Sequence, residues 1–207
     1  TDAAFTEFEI CESSASPNRL SGASDTILAG NKLFFADNGN KRISFYDTET
    51  GETQVFPIEI QADFIASDGD TVLAANAAEA ALYDSDGGEK ITSFSGFNSN
   101  LVGAAAVYGK YYFVTDNNYF YCAEQNSEGS WTLSSTPKPS ASHTARLLAA
   151  DVYGALYVAY SDGSVYRFEE EEFMASAEVG EKTATVPVQA EKIAVDYEET
   201  VCALYKN

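Results

Sequence analysis

Few residues in this 207-residue chain have the types that catalysis or metal binding needs. The single histidine, His143, lies in the Pro/Ser-rich stretch TPKPSASHTARL (136 to 147). An imidazole acting as general base needs a nucleophile on one side and an orienting group on the other, and no nucleophile-elbow motif accompanies it. No catalytic residue is expected. Cys11, Cys122 and Cys202 are too few and too scattered for a transition-metal site or a disulfide framework. Asp84, Asp86 and Glu89 resemble a calcium loop in composition. They lack the spacing of its twelve-residue pattern and coincide with a turn, so no metal and no cofactor is expected.

Hydrogen-bonding residues are better supplied, and they point to binding. Asn38, Asn40, Lys41, Arg42, Asn76, Asn98, Asn117, Asn118, His143, Tyr160 and Asp162 form the candidate surface, with Phe97 nearby. Amides, hydroxyls and aromatic rings of this kind recognise peptides or sugars, although Asn is also a common turn residue for purely local reasons. The aromatic run of Tyr111, Tyr112, Phe113, Tyr119, Phe120 and Tyr121 is expected mostly to pack inside, and Cys122 to be a buried thiol. A formal charge of -20 repels phosphate backbones and anionic lipid surfaces, which disfavours nucleic acid and membrane partners. No apolar run approaches the roughly 20 residues that span a bilayer. A protein or glycan partner and a monomeric state are the expectation. The acidity itself serves solubility.

The elements that position these residues repeat along the chain. LFFADNGNKRISFYDTETGETQVF (33 to 56) is echoed by VLAANAAEAALYDSDGGEKITSF (72 to 94), YYFVTDNNYFYCAEQNSEGSWTL (111 to 133) and ALYVAYSDGSVYRFEEEEFMASA (155 to 177). A shorter copy, TVCALYKN, follows. Asp37, Asn76, Asp116, Tyr160 and Tyr205 then fall at steps of 39, 40, 44 and 45 residues. Periods of about 40 to 50 residues belong to propeller blades. Each copy is preceded by a small-residue run (TILAG, FIAS, GAAAV, LLAAD, IAVD) suited to an innermost strand. The second strands are apolar on both faces, and the last strands alternate. DTETGE, DSDGGE and EQNSEG supply the Asp, Asn and Gly of tight third-to-fourth strand turns.

The predicted fold is an all-β propeller in one domain, with four complete four-stranded blades near 25–58, 63–96, 101–135 and 145–180. A fifth blade at 190–207 is completed by the N-terminal strand 4–13, which would cover an open edge. The alternative is a piece of a six- to eight-bladed propeller. The acidic run EEEEF (169 to 173) is placed in a third-to-fourth strand turn as a solvated hairpin end, and no helix is expected.

GNKLFFADNGNKRISFYDTETGE (30 to 52) resembles blades of the NHL and YVTN type β-propellers, a likeness that extends from about Asp25 onward. Asn40, Lys41 and Arg42 recur in no other copy, and no Trp-Asp dipeptide is present, so a WD40 assignment is disfavoured. The expected function is a non-enzymatic binding or scaffold propeller that uses its loop face, where binding residues concentrate on a rigid scaffold. A lyase or hydrolase acting on a sugar or lactone at a central channel is the alternative, and it rests on fold analogy alone. Convergent carboxylates would favour the enzyme; an Asn/Tyr-lined face would favour binding. An extracellular or cell-surface location is expected, with a cytoplasmic one as the alternative. If strand 4–13 pairs with TVCALYKN, Cys11 and Cys202 come within disulfide reach; otherwise both are buried thiols in separate blades.

Overall fold

The computed structural model describes residues 9, 10, 16, 17, 19–138, 143–176 and 180–205. The chain divides into two compact units, Thr1–Asn76 with Ala80–Ser93, and Ala77–Glu79 with Phe94–Asn207. In the first unit, sheet I comprises Ala23–Ala29, Lys32–Asp37, Arg42–Asp47 and Thr53–Pro57. Sheet II comprises Phe64–Ser67, Thr71–Ala75, Glu79–Asp84 and Lys90–Ser95, and its margins reach into the second unit. The second unit holds sheet III (Leu101–Val107, Lys110–Thr115, Tyr119–Gln125, Trp131–Pro137) and sheet IV (Ala145–Ala150, Leu156–Tyr160, Ser164–Phe168, Glu181–Thr185). The two-stranded sheet V follows, with Ala190–Val195 and Val201–Tyr205.

Strands follow chain order across each sheet, so every four-stranded sheet is a meander from an inner to an outer strand. Local turn chemistry drives this. Asp47 accepts hydrogen bonds from the Glu49 and Thr50 N–H groups at 2.8 and 3.0 Å, and Asp84 does the same for Asp86 and Gly87 at 2.9 and 2.7 Å. Asn126 repeats the device in sheet III toward Glu128 and Ser130, both at 3.0 Å. A short polar side chain thereby satisfies the backbone of a tight turn and sets hairpin register.

Burial grades outward as the composition requires. The second strands of sheets III and IV are buried on both faces, whereas the outer strands Lys90–Ser95 and Glu181–Thr185 are largely exposed. In the first unit Phe34, Phe45, Phe56 and Tyr83 form a chain of tilted rings with centroids 5.5, 6.4 and 6.0 Å apart. Tyr112, Phe120, Leu156, Val158 and Phe168 fill the space between sheets III and IV, and Tyr157, Val165 and Ile193 that between sheets IV and V. The small inner strands have a steric reason. A Cβ on Gly103 would meet the Leu148 backbone nitrogen and Cβ, each at 2.7 Å, so the first strands of sheets III and IV approach this closely only with glycine there.

Four features differ from the sequence-based expectation. Glu170–Met174 is a one-turn helix rather than a solvated hairpin end. The Glu172 carboxylate reaches back to the Glu169 N–H at 3.1 Å, acidic residues occupy the first turn, and Phe173 is fully buried. Because that segment is helical, the outer strand of sheet IV lies at Glu181–Thr185, beyond the expected limit of residue 180. At the N-terminus, Glu9–Ile10 pairs in parallel with Arg19–Leu20, the only part of the expected strand 4–13 that is described. Cys11 lies outside the described residues. Cys202 is a free and exposed thiol, on the outermost described strand of sheet V, rather than bridged or buried; Cys122 is buried.

Candidate functional site

In an antiparallel meander, the second-to-third strand turns and the connections to the next sheet share one strand end. The first-to-second and third-to-fourth turns share the other. The residues singled out from sequence belong to the first group, and the structure commits most of them to internal bonds. The Asn38 Nδ2 group donates to the Ala62 carbonyl at 2.7 Å while its Oδ1 accepts from the Ala62 N–H at 2.9 Å. Asn118, buried and at φ 64°, repeats the arrangement in the second unit. Its Nδ2 donates to the His143 carbonyl at 3.0 Å and its Oδ1 accepts from the Ala145 N–H at 2.6 Å. These amides act as strand-like clips that fasten the start of the next sheet.

The neighbouring residues are similarly occupied. Arg42 is buried, with its Nε 2.7 Å from the Asp37 carboxylate and its NH2 group donating to the Ser16 and Arg19 carbonyls at 2.7 and 2.8 Å. Asn40 donates to the same carboxylate at 2.9 and 3.1 Å. Lys41 is exposed at φ 53°, closing the short 3-10 turn, and Asn76 is half-buried. Asn98 is exposed and exchanges two 2.9 Å bonds with the Tyr121 hydroxyl. Exposed Asn117 accepts from the Thr115 hydroxyl at 2.7 Å. Tyr160 is buried edge-on against Tyr166, and burial pushes its hydroxyl above the ordinary phenol range.

His143 and Asp162 do meet, with Nε2 and Oδ2 3.4 Å apart. The Asp162 Oδ1 accepts from the Ser164 hydroxyl at 2.5 Å and from its N–H at 3.0 Å. The Ser164 hydroxyl bond, with further help from the N–H and from His143, holds the carboxyl below its usual value. The order is Ser, Asp, His. In a nucleophilic triad the imidazole must stand between hydroxyl and carboxylate so that it can take the hydroxyl proton. Here the serine is bonded to the carboxylate instead. At the calcium-like turn, Asp84 accepts two backbone N–H groups and Asp86 is paired with Lys32. Among the described residues no group of three His, Cys, Asp or Glu side chains is placed to hold a metal ion.

The opposite strand end carries a feature that the sequence reading passed over. Tyr108, Tyr153 and Tyr197 occupy the first-to-second strand turns of sheets III, IV and V and are 72, 58 and 70% exposed. The Tyr108 hydroxyl donates to the Tyr153 carbonyl at 2.7 Å, and the Tyr153 hydroxyl donates to the Tyr197 carbonyl at 3.0 Å. The three turns are thus linked in a row. A Cβ on Gly154 would stand 2.6 Å from Tyr108 Cε2, so the Tyr108 ring lies directly on that glycine backbone.

Each turn is held from beneath. Tyr108 and Gly109, at φ 48° and 75°, are the central pair of a two-residue hairpin turn between Val107 and Lys110. A tyrosine in this left-handed region costs roughly 1–2 kcal/mol, which its hydroxyl bond and ring contact help to offset. Buried Asp151 accepts from the Tyr153 and Ala155 N–H groups, each at 2.9 Å, and from the Tyr157 hydroxyl at 3.0 Å. Burial, together with Asp151, pushes the Tyr157 hydroxyl up to about 12. Arg167 donates to that hydroxyl at 3.2 Å and stands 3.7 Å from Glu199 on the next turn. Asp196 in turn accepts from the Glu198 and Thr200 N–H groups at 2.9 and 2.8 Å.

The surroundings of the row are acidic. Glu128, Glu169, Glu198 and Glu199 are exposed at this end. Lys110 is held by Glu170 at 2.7 Å and lies 3.6 Å from Glu124; Arg167 is held by Glu169 at 2.5 Å. A shallow cleft of ≈ 260 Å³ beside Arg167 is lined by Glu169, Glu172, Gly180 and Glu181, with its one cation already paired. The sequence did contain a signal for the row. An aromatic stands at the same point of three successive repeats, at turns where Asn, Asp or Gly is the ordinary choice.

No protein-family model matches the chain, and no curated protein matches it. Solved structures do. The structure of U3-55K is 15% identical with a TM-score of 0.56, covering 73% of this chain and 50% of that one. The Myceliophteria thermophila Cps50 (Swd1) beta-propeller domain is 12% identical with a TM-score of 0.65, covering 89% and 62%. The RRP9 WD40 repeats are 14% identical with a TM-score of 0.56, covering 88% and 51%. The chain spans about half the length of the first of these. At such identities the likeness is one of fold: the successive antiparallel sheets are those of a β-propeller repeat protein.

Proposed function

We propose that this chain is a non-enzymatic scaffold that engages a protein partner through the tyrosine row. The observation that carries the reading is the exposure of three tyrosines on turns that are fixed from below by Asp151, Asp196 and a hairpin turn. Tyrosine supplies large amphipathic contact area while losing little side-chain entropy, and a rigid platform lowers the cost of association. Loops on a stable scaffold are where binding residues concentrate. The Asn-rich turns support a binding role less, since Asn38, Asn40 and Asn118 spend their amides on the fold itself. A hydrolytic or lyase reading lacks support of the same kind, because the one histidine contacts a carboxylate that serves Ser164.

An array of short peptides of varied composition, probed with the protein and with a Tyr153→Ala/Tyr197→Ala double variant, tests the reading. A subset of peptides is expected to bind the parent and to lose binding to the double variant. Binding that is indifferent to the tyrosines, or absent across the array, overturns it.

A further inference from the structure

We infer that the partner segment accepted by the tyrosine row is basic, an extended Arg- or Lys-rich stretch whose cations lie over the exposed rings. The inference rests on the proposed scaffold role and adds the chemistry of the ligand. Two observations meet here. The Tyr108 and Tyr153 hydroxyls are consumed in bonds to neighbouring carbonyls, so what these side chains offer a partner is chiefly their ring faces. Aromatic faces attract cations through their quadrupole, and guanidinium groups also stack on them.

The second observation is the field around those faces. The turns that carry and flank the row hold Glu128, Asp196, Glu198 and Glu199, while Lys110 and Arg167 are already paired with Glu170 and Glu169. A cation over Tyr197 gains from the ring and from the adjacent Glu198 carboxylate together. The whole chain carries -20, which steers basic ligands inward at a distance. The same charge argues against the other occupants of an aromatic surface. A phosphate backbone is repelled, and a second copy of this chain brings an equal negative charge to the contact. A neutral glycan would stack on the rings without using the carboxylates.

The test is fluorescence anisotropy with three labelled nine-residue peptides, alternating Arg and Ser, Lys and Ser, or Glu and Ser, against the full chain. The Arg peptide is expected to bind most tightly, with affinity falling as salt rises. Tyr197→Ala is expected to weaken it about two- to fivefold, the range for one exposed cation–π contact. Tyr197→Phe keeps the ring and leaves affinity within about twofold. Glu198→Lys reverses one carboxylate without touching a ring and weakens binding while flattening the salt dependence. Thermal unfolding of each variant confirms that it remains folded.

Equal binding to the parent and to Tyr197→Ala and Tyr153→Ala overturns the inference, since the peptide would then be held by overall charge alone. Binding of the Glu peptide as tight as that of the Arg peptide overturns it as well, as does the absence of any binding by the basic peptides. If neutral peptides from the array bind through the tyrosines while the basic ones do not, the scaffold role stands and the basic ligand falls.

Discussion

The most consequential single side chains in this molecule are amides that behave as backbone. Asn118 is buried in a left-handed conformation and presents one acceptor to the Ala145 N–H and one donor to the His143 carbonyl. Removing it leaves the Ala145 N–H, itself buried, without its partner, and an unmade buried bond costs more than a made one contributes. Asn118→Ala is therefore expected to lower stability by about 2–3 kcal/mol, the sum of a lost hydrogen-bond pair and a worse fit to positive φ. Asn118→Asp keeps the acceptor and the tolerance for that backbone but sets a carboxylate against the His143 carbonyl, so it should also destabilise. Urea unfolding of the three proteins checks this. If Asn118→Ala matches the parent, the amide is not a structural clip and its return to the candidate surface is warranted.

At the scale of elements, the short helix Glu170–Met174 anchors sheet III to sheet IV. Phe173 stacks on Phe120 at 4.5 Å and meets Tyr112 and Phe168 edge-on at 5.3 and 5.9 Å. Buried Lys138 donates to the Glu172 and Ala175 carbonyls, both at 2.6 Å, and lies over the Phe120 and Phe168 rings. A cation at the helix C-terminus suits the partial negative charge of the carbonyls there. Phe173→Ala removes a whole ring from a filled site and is expected to cost about 3–5 kcal/mol. A change under about 1 kcal/mol in urea unfolding would show that the helix is an ornament of the sheet edge.

The same helix shows why sequence was readable in some places and opaque in others. The repeat, the inner and outer strand gradient and the Asp/Asn turns are local properties, written within about six residues by period-two alternation and turn chemistry. The acid run Glu169–Glu172 suits both an exposed turn and a helix start; what decides between them is Phe173 meeting Phe120, and that contact is invisible along the chain. The tyrosine row was hidden for a related reason. Tyr108, Tyr153 and Tyr197 are some 45 residues apart and meet only because adjacent sheets align their turns. The Asn-rich candidates were misread in the opposite sense. Their residue types suited a binding surface, but Asn in a turn before a new sheet also suits clipping that sheet's first strand, and burial of Asn118 selects the second role.

At the scale of the whole molecule, the balance of 32 acidic and 12 basic residues makes stability a function of pH and salt. Among the described residues, four carboxyls are held below their ordinary values. Asp47 is stabilised in its charged form first by the Thr50 N–H, Asp84 by the Gly87 N–H, and Asp162 by the Ser164 hydroxyl. At Glu170 burial opposes the charge, and the bonds from Lys110 and Tyr112 outweigh it. For such groups the unfolded chain binds more protons than the folded one through the transition, so stability rises with pH there. Their contribution is complete above the ordinary values of 3.8 for Asp and 4.5 for Glu and is lost as pH falls through the lower folded values. Mutual repulsion of the many surface carboxylates runs the other way, because protonation relieves it. The two effects separate with salt. Repulsion between exposed charges is screened beyond about 8 Å at physiological ionic strength, whereas a hydrogen bond from a neighbouring N–H is not. Urea midpoints measured from pH 7 to pH 3 at high salt are therefore expected to fall below about pH 4. The fall should be shallower in an Asp84→Asn/Asp162→Asn double variant, whose amide oxygens still accept but do not titrate. A midpoint that stays level or climbs down to pH 3 at high salt would mean that charge repulsion, and not the turn hydrogen bonds, governs the acid limb.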